Sequence, residues 1–148
     1  MSWTEQPLVT LLVIEDSDED FDTVQEAVKR AGFPAEVVRA ATGVDGVTAL
    51  RAQAPTSPTL VLMDLNTPGT DGREALAAIK SDPALKSFPV VVFSTSANQR
   101  DIGFCYAAGA NAYHVKPVRY PEHLAVLIDV LTYWLSRVVL PAGERSRP

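Results

Sequence analysis

The sequence predicts a doubly wound α/β fold, a five-stranded parallel sheet held between layers of helices, on three observations. Short runs rich in apolar and β-branched residues recur at near-even spacing, at 8–14, 36–40, 60–63, 89–93 and 112–115. A segment of helical periodicity follows each, at 19–31, 44–54, 73–81, 99–108 and 121–140. The inner runs, Leu60 to Met63 and Val90 to Phe93, are apolar at successive positions, as strands covered on both faces must be. The helical segments stop at breakers: Gly32, Pro55, Pro83, Gly109 and Pro141.

Composition narrows the class. A chain of 148 residues with 47% hydrophobic and 21% charged residues has the material for one packed domain, expected over 8–140 between an N-terminal extension 1–7 and a flexible tail 141–148. A net charge of −5 argues against nucleic acid or anionic lipid as the general partner. The single Cys105 forms no intrachain disulfide, in keeping with a reducing compartment. The start has no basic n-region, and the most apolar stretch, 124–140, is broken by Asp129 and Arg137. The expected location is cytoplasmic, with no membrane partner.

In such sheets chemistry gathers outside the carboxyl ends of the strands. Glu15 and Asp16 follow the first run, Asp64 the third, Ser94, Thr95 and Ser96 the fourth, and Lys116 and Pro117 the fifth. Carboxylates crowded at one edge repel unless a hard cation or a proton intervenes, which points to Mg²⁺. Residues 15–22 hold six of the eighteen acids, so the negative charge is concentrated beside this edge. Of these, Asp18 suits a helix N-cap, and Asp18, Glu19, Asp20 and Asp22 read as a solvated face.

Four ordered motifs carry a resemblance. V-I-E-D-S (13–17), L-V-L-M-D-L-N-x-P-x-x-D-G (60–72), V-V-F-S-T (91–95) and H-V-K-P (114–117) resemble the receiver domain of two-component response regulators, over roughly 8–140. Within that family the chain looks most like the single-domain regulators that serve bacterial phytochrome histidine kinases. The resemblance implies the flavodoxin-like strand order 2-1-3-4-5 and a phosphoacceptor that assists its own phosphorylation and dephosphorylation rather than an enzyme that turns over a substrate. Asp64 would accept the phosphoryl group from a sensor histidine kinase. Asp16 and Asp64 would bind Mg²⁺ directly, Asn66 through its backbone carbonyl and Glu15 through water. Lys116 would pair with the phosphoryl oxygens, next to a cis Lys116–Pro117 bond. Ser94 matches the switch hydroxyl, with Thr95 the alternative in a shifted register, and Tyr113 matches the switch aromatic that swings inward. Asn66 and Ser96, two places beyond Asp64 and Ser94, would tune the phosphate's lifetime. Thr67 and Thr70 depart from the apolar residues common in their loop. His114, His123 and Cys105 read as packing residues.

Two other readings compete. A haloacid-dehalogenase-like phosphatase also uses an Asp after a parallel strand, but needs a second Asp as general acid where this chain has Asn66, and an amide cannot hand over a proton. A flavodoxin-like FMN-binding module needs a Ser/Thr/Gly phosphate loop where Glu15 and Asp16 stand.

Apolar residues of the last helical segment spread over about 180° of its circumference, wider than the ~100° stripe that core packing uses. Leu127, Leu131, Trp134 and Val138 are therefore expected to form a homodimer face, assisted by the preceding helix and strand. The rival cover for that surface is the N-terminal segment with Trp3.

Overall fold

The computed structural model describes residues 8–52, 57–66 and 72–141. The extension 1–7 with Trp3, the end of the second helical segment at 53–54 with Pro55, Thr67 and Thr70, and the tail from 142 lie outside them.

Among the described residues five strands and five α-helices alternate: β1 (Val9–Ile14), α1 (Asp18–Ala31), β2 (Ala35–Ala40), α2 (Gly43–Ala52), β3 (Thr59–Met63), α3 (Gly72–Ser81), β4 (Val90–Ser94), α4 (Gln99–Ala108), β5 (Ala112–Val115) and α5 (Tyr120–Thr132). All strands pair in parallel, in the order β2-β1-β3-β4-β5, as expected. Successive side chains of a strand face opposite ways, so the sheet feeds two cores. Leu12, Ile14, Val61, Met63, Val90 and Val92 pack under α2, α3 and α4 with Leu50, Leu76 and Ile79. Leu11, Val13, Leu60, Leu62, Val91 and Phe93 pack under α1 and α5 with Val24, Leu127 and Leu131. Every residue of β3 and β4 is buried, which explains their uninterrupted apolar sequence.

Helix ends follow local chemistry. Ser17, not Asp18, caps α1: its hydroxyl accepts from the Asp20 N–H at 3.2 Å, and Asp18, Glu19 and Asp20 fill the first turn, where the helix dipole favours negative charge. Gly32 closes α1 in the left-handed conformation, φ 77°. Asn98 caps α4 through an N–H of Arg100 at 2.8 Å.

The last helix departs from expectation. Regular α5 stops at Thr132 and continues as a single π-helical stretch, Tyr133–Arg137, with the Val138 N–H bonded back to the Tyr133 carbonyl. Leu127 and Leu131 are completely buried in the chain's own core, so they form no part of a dimer face. The wide apolar stripe is used by two neighbours at once, the sheet and α1. Trp134 also leans on that core, whereas Tyr133 and Val139 are exposed.

Candidate phosphoacceptor and cation site

The backbone brings the acids together. Beyond the end of β1, the Glu15 N–H donates to the Ala40 carbonyl (3.0 Å) and the Asp64 N–H to the Ile14 carbonyl (3.0 Å), so the parallel ladder carries both residues just past the sheet edge. The Lys116 N–H donates to the Ser94 carbonyl at 2.7 Å and continues β5 in the same way. Carboxylate oxygens of Glu15, Asp16 and Asp64 all lie within 4.8 Å of one another, with Glu15 buried, Asp64 half-buried and Asp16 exposed. An all-oxygen, multiply charged set of this kind suits a hard divalent cation.

Lys116 enters from the other side. Its ammonium, almost fully buried, donates to Asp20 at 2.7 Å, Glu15 at 2.9 Å and Asp64 at 3.3 Å. Burial alone would lower its pKa, but the Asp64 charge and the hydrogen bonds to Asp20 and Glu15 outweigh that and hold it above its ordinary value. Burial likewise pushes the Glu15 carboxyl up to about 7, with help from the Asp64 charge and against the pull of Lys116. One ammonium thus faces three carboxylates, leaving an excess of negative charge for a cation to neutralise.

Two expectations need correction. No peptide bond among the described residues is cis, so Lys116–Pro117 is trans; the Lys116 N–H stays in the ladder and its ammonium reaches Asp64 without the cis bond. Asp20, read as one of a solvated row, is a direct partner of Lys116. Tyr113 is already engaged: its ring packs on the α2–α4 core, and its hydroxyl donates to the Ser96 carbonyl at 2.8 Å.

The β4–α4 loop is cross-linked. Ser94, completely buried, accepts from the Ser96 N–H at 3.2 Å. The Ser96 hydroxyl donates to Asp101 at 2.6 Å, and Asp101 pairs with Arg73 at the start of α3. Sequence reasoning passed over Arg73 and Asp101, because nothing in the spacing of α3 and α4 reports that their first turns meet. The Asn66 N–H donates to Asp64 at 3.2 Å, turning the chain around the acid. His123 is buried beside Phe93, ring centroids 5.3 Å apart, and its Nε2 has no hydrogen-bond partner. His114 is half-buried on β5, and Cys105 lies in the α2–α4 core, both as expected of packing residues.

This arrangement, an acid at the end of a central strand facing a buried lysine and two further acids, defines a receiver, and residues 11–128 match the response regulator receiver domain. The chain belongs to that family and is a response regulator of the two-component type. It is 36% identical over 147 residues to response regulator Rcp1 of Synechocystis, covering 97% of this chain and 100% of that one. Among solved structures, the phosphorylated cyanobacterial phytochrome response regulator RcpA is 38% identical, with a TM-score of 0.84 over 90% of this chain and 99% of that chain. The Mn²⁺-bound form of Rcp1 gives 36% and 0.83, over 90% and 99%. No helix among the described residues is long and apolar enough to cross a membrane.

Proposed function

We propose that Asp64 takes a phosphoryl group from the phosphohistidine of a sensor histidine kinase, of the bacterial phytochrome kind, in a reaction that needs Mg²⁺. The observation that carries this reading is the meeting of Asp64 with Lys116 on one side and with Glu15 and Asp16 on the other. A carboxylate oxygen of Asp64 attacks phosphorus, the P–N bond breaks, and the imidazole leaves with its electron pair while an acyl phosphate forms. Little covalent work falls to the protein; positioning and charge neutralisation do most of it. Asp16 and Asp64 would hold the cation directly, Asn66 through its backbone carbonyl, and Glu15 through water. The cation supplies charge neutralisation at the transferring oxygens. Lys116 pairs with a phosphoryl oxygen from the opposite side. Ser94 donates its hydroxyl to the same group and draws the loop that Tyr113 holds through Ser96. Asn66 and Ser96 stand beside the approach of the hydrolytic water and set the lifetime.

Support for the kinase class comes from RcpA, a cyanobacterial phytochrome response regulator to which this chain is 38% identical. A homodimer through the end of α5 belongs to the same reading, carried by exposed Tyr133 and Val139 with Trp134 and Val138, and no longer by Leu127 and Leu131. Light scattering of Tyr133→Glu and Val139→Glu against wild type tests it: a wild type that is monomeric with and without phosphorylation removes the dimer.

Incubation with acetyl phosphate and Mg²⁺, read by intact mass, tests the main reading. One phosphoryl group per chain, lost with chelator and lost in Asp64→Asn, is the expected result. Labelling unchanged by chelator would sink the metal assignment. Catalytic release of phosphate from small esters would favour a phosphatase. Transfer from a bacterial phytochrome kinase, compared with an unrelated histidine kinase, tests the partner.

A further inference from the structure

Arg39 lies on edge strand β2 opposite Val13, two residues short of Glu15 on the neighbouring strand. Its guanidinium reaches over the acidic turn and uses all three nitrogens there. Nε donates to the Glu15 carbonyl and Nη2 to the Asp16 carbonyl, both at 3.1 Å, while Nη1 pairs with Asp18 at 2.8 Å. The same group sits 4.8 Å from the centre of the Phe21 ring. Two successive carbonyls are thereby clamped, and they belong to the two residues whose carboxylates meet Asp64. A planar fork matches two neighbouring carbonyls; a lysine ammonium reaches them only as a point charge. Without such a clamp, mutual repulsion of the acids and the conformational entropy of a short turn both act to spread it.

We propose that Arg39 is a positioning residue for the divalent cation, fixing the Glu15–Asp16 backbone so that the two carboxylates converge with Asp64. The inference rests on the reading that the cation binds at Glu15, Asp16 and Asp64. By charge alone Arg39 would do the reverse, because a guanidinium near the site repels a cation. The sign of its effect on cation affinity therefore separates geometry from charge. Asp18, paired to the guanidinium on its exposed side, already offsets much of that charge.

The test is titration calorimetry of the full chain with Mg²⁺, and separately Mn²⁺, for wild type, Arg39→Lys and Arg39→Gln. Arg39 is on an edge strand and partly exposed, so both variants should fold, and thermal unfolding of the cation-free proteins checks this. Both variants should bind each cation on the order of 10-fold more weakly, the size usual when a group supporting metal ligands is lost. Asp64 labelling by acetyl phosphate should fall at low Mg²⁺ and return to the wild-type rate at saturating Mg²⁺. Unchanged or tighter binding in Arg39→Gln would overturn the proposal, as would wild-type affinity in Arg39→Lys, which would make charge sufficient. A labelling defect that saturating Mg²⁺ does not repair would also overturn it. A wild-type chain that binds neither cation would instead bring down the underlying site reading, a result distinct from a defect confined to the variants.

Discussion

The Lys116 ammonium lies 2.7 Å from Asp20 and 3.3 Å from Asp64, closer to an acid of α1 than to the proposed phosphoacceptor. Asp20 thus competes for the charge that an incoming phosphoryl group would use. Asp20→Asn should raise the initial rate of Asp64 labelling a few-fold, by releasing Lys116. Lys116→Ala should lower it on the order of 100-fold, the usual effect of removing one preorganised donor from a phosphoryl or oxyanion centre. In the Lys116→Ala background, Asp20→Asn should do little. Equal acceleration in both backgrounds, measured by intact mass over time, would show that Asp20 acts independently of Lys116.

His123 gives a pH dependence of known sign. Burial is the main cause that lowers its pKa; Lys116 adds to this and Asp20 opposes it. The folded-state value lies below the ~6.5 of an unfolded chain, so the unfolded state binds the proton more readily. The stability that comes from keeping His123 neutral is complete above about pH 6.5 and is lost as pH falls toward the folded-state value. Wild type should lose stability faster than His123→Leu between about pH 7.5 and about pH 5 in urea unfolding. His114, whose pKa burial also lowers, is present in both proteins and drops out of the difference. Parallel stability curves would remove His123 as the source.

What the sequence made legible, and what it hid, divides along local and non-local lines. The strand runs, the glycine at the end of α1 and the positions of Glu15, Asp64, Ser94 and Lys116 at the sheet edge all follow from chain order and period. Asp20 was hidden because it stands in a row of acids, and only the rotation of α1, set by the Ser17 cap, singles it out. Arg39 was hidden because its partners depend on strand register: it is opposite Val13, so it overhangs the turn that begins two residues later. Leu127 and Leu131 fell outside the expected dimer face for a packing reason. A stripe of about 180° is surplus for a helix on one neighbour but not for one wedged between a sheet and α1.

Two glycines near the site should respond differently to alanine. A Cβ on Gly72 would come within 2.6 Å of the Leu65 Cα and carbonyl oxygen, backbone atoms of the segment that aims Asp64. The Gly72 N–H also donates to that carbonyl at 2.9 Å. Gly72→Ala should cost ~1–3 kcal/mol, as overpacking against backbone does, and should slow Asp64 labelling. A Cβ on Gly46 would meet the Ile14 Cδ1 at 2.4 Å and Cγ1 at 2.7 Å, side-chain atoms rather than backbone, while alanine in the helix interior recovers ~1 kcal/mol of propensity. Gly46→Ala should therefore be the milder change in denaturant unfolding, with labelling retained. Equal losses at both sites would mean that Leu65 moves as freely as the Ile14 side chain.

The hydrogen bond from Ser96 to Asp101, with Arg73 behind it, ties the loop carrying Ser94 to the first turns of α3 and α4. Asp101 is held below the usual carboxylate range first by the Ser96 hydroxyl and then by Arg73, so it stays ionised and the bond stays charge-assisted. The same hydroxyl accepts from the Asn98 N–H at 3.2 Å, so a single oxygen braces the entry to α4. On the proposed role of Ser94, a braced loop would keep its hydroxyl on the phosphoryl group and keep water from the attack line; a loose one would do neither. Ser96→Ala and Asp101→Ala should each shorten the half-life of the acyl phosphate several-fold, because each breaks the same bond. The double variant should decay no faster than the single ones, since the interaction is already gone. Decay rates come from the loss of phosphorylated mass after acetyl phosphate is removed. Additive effects would mean that Ser96 and Asp101 act on lifetime separately, and unchanged decay in Asp101→Ala would mean that the brace plays no part in it.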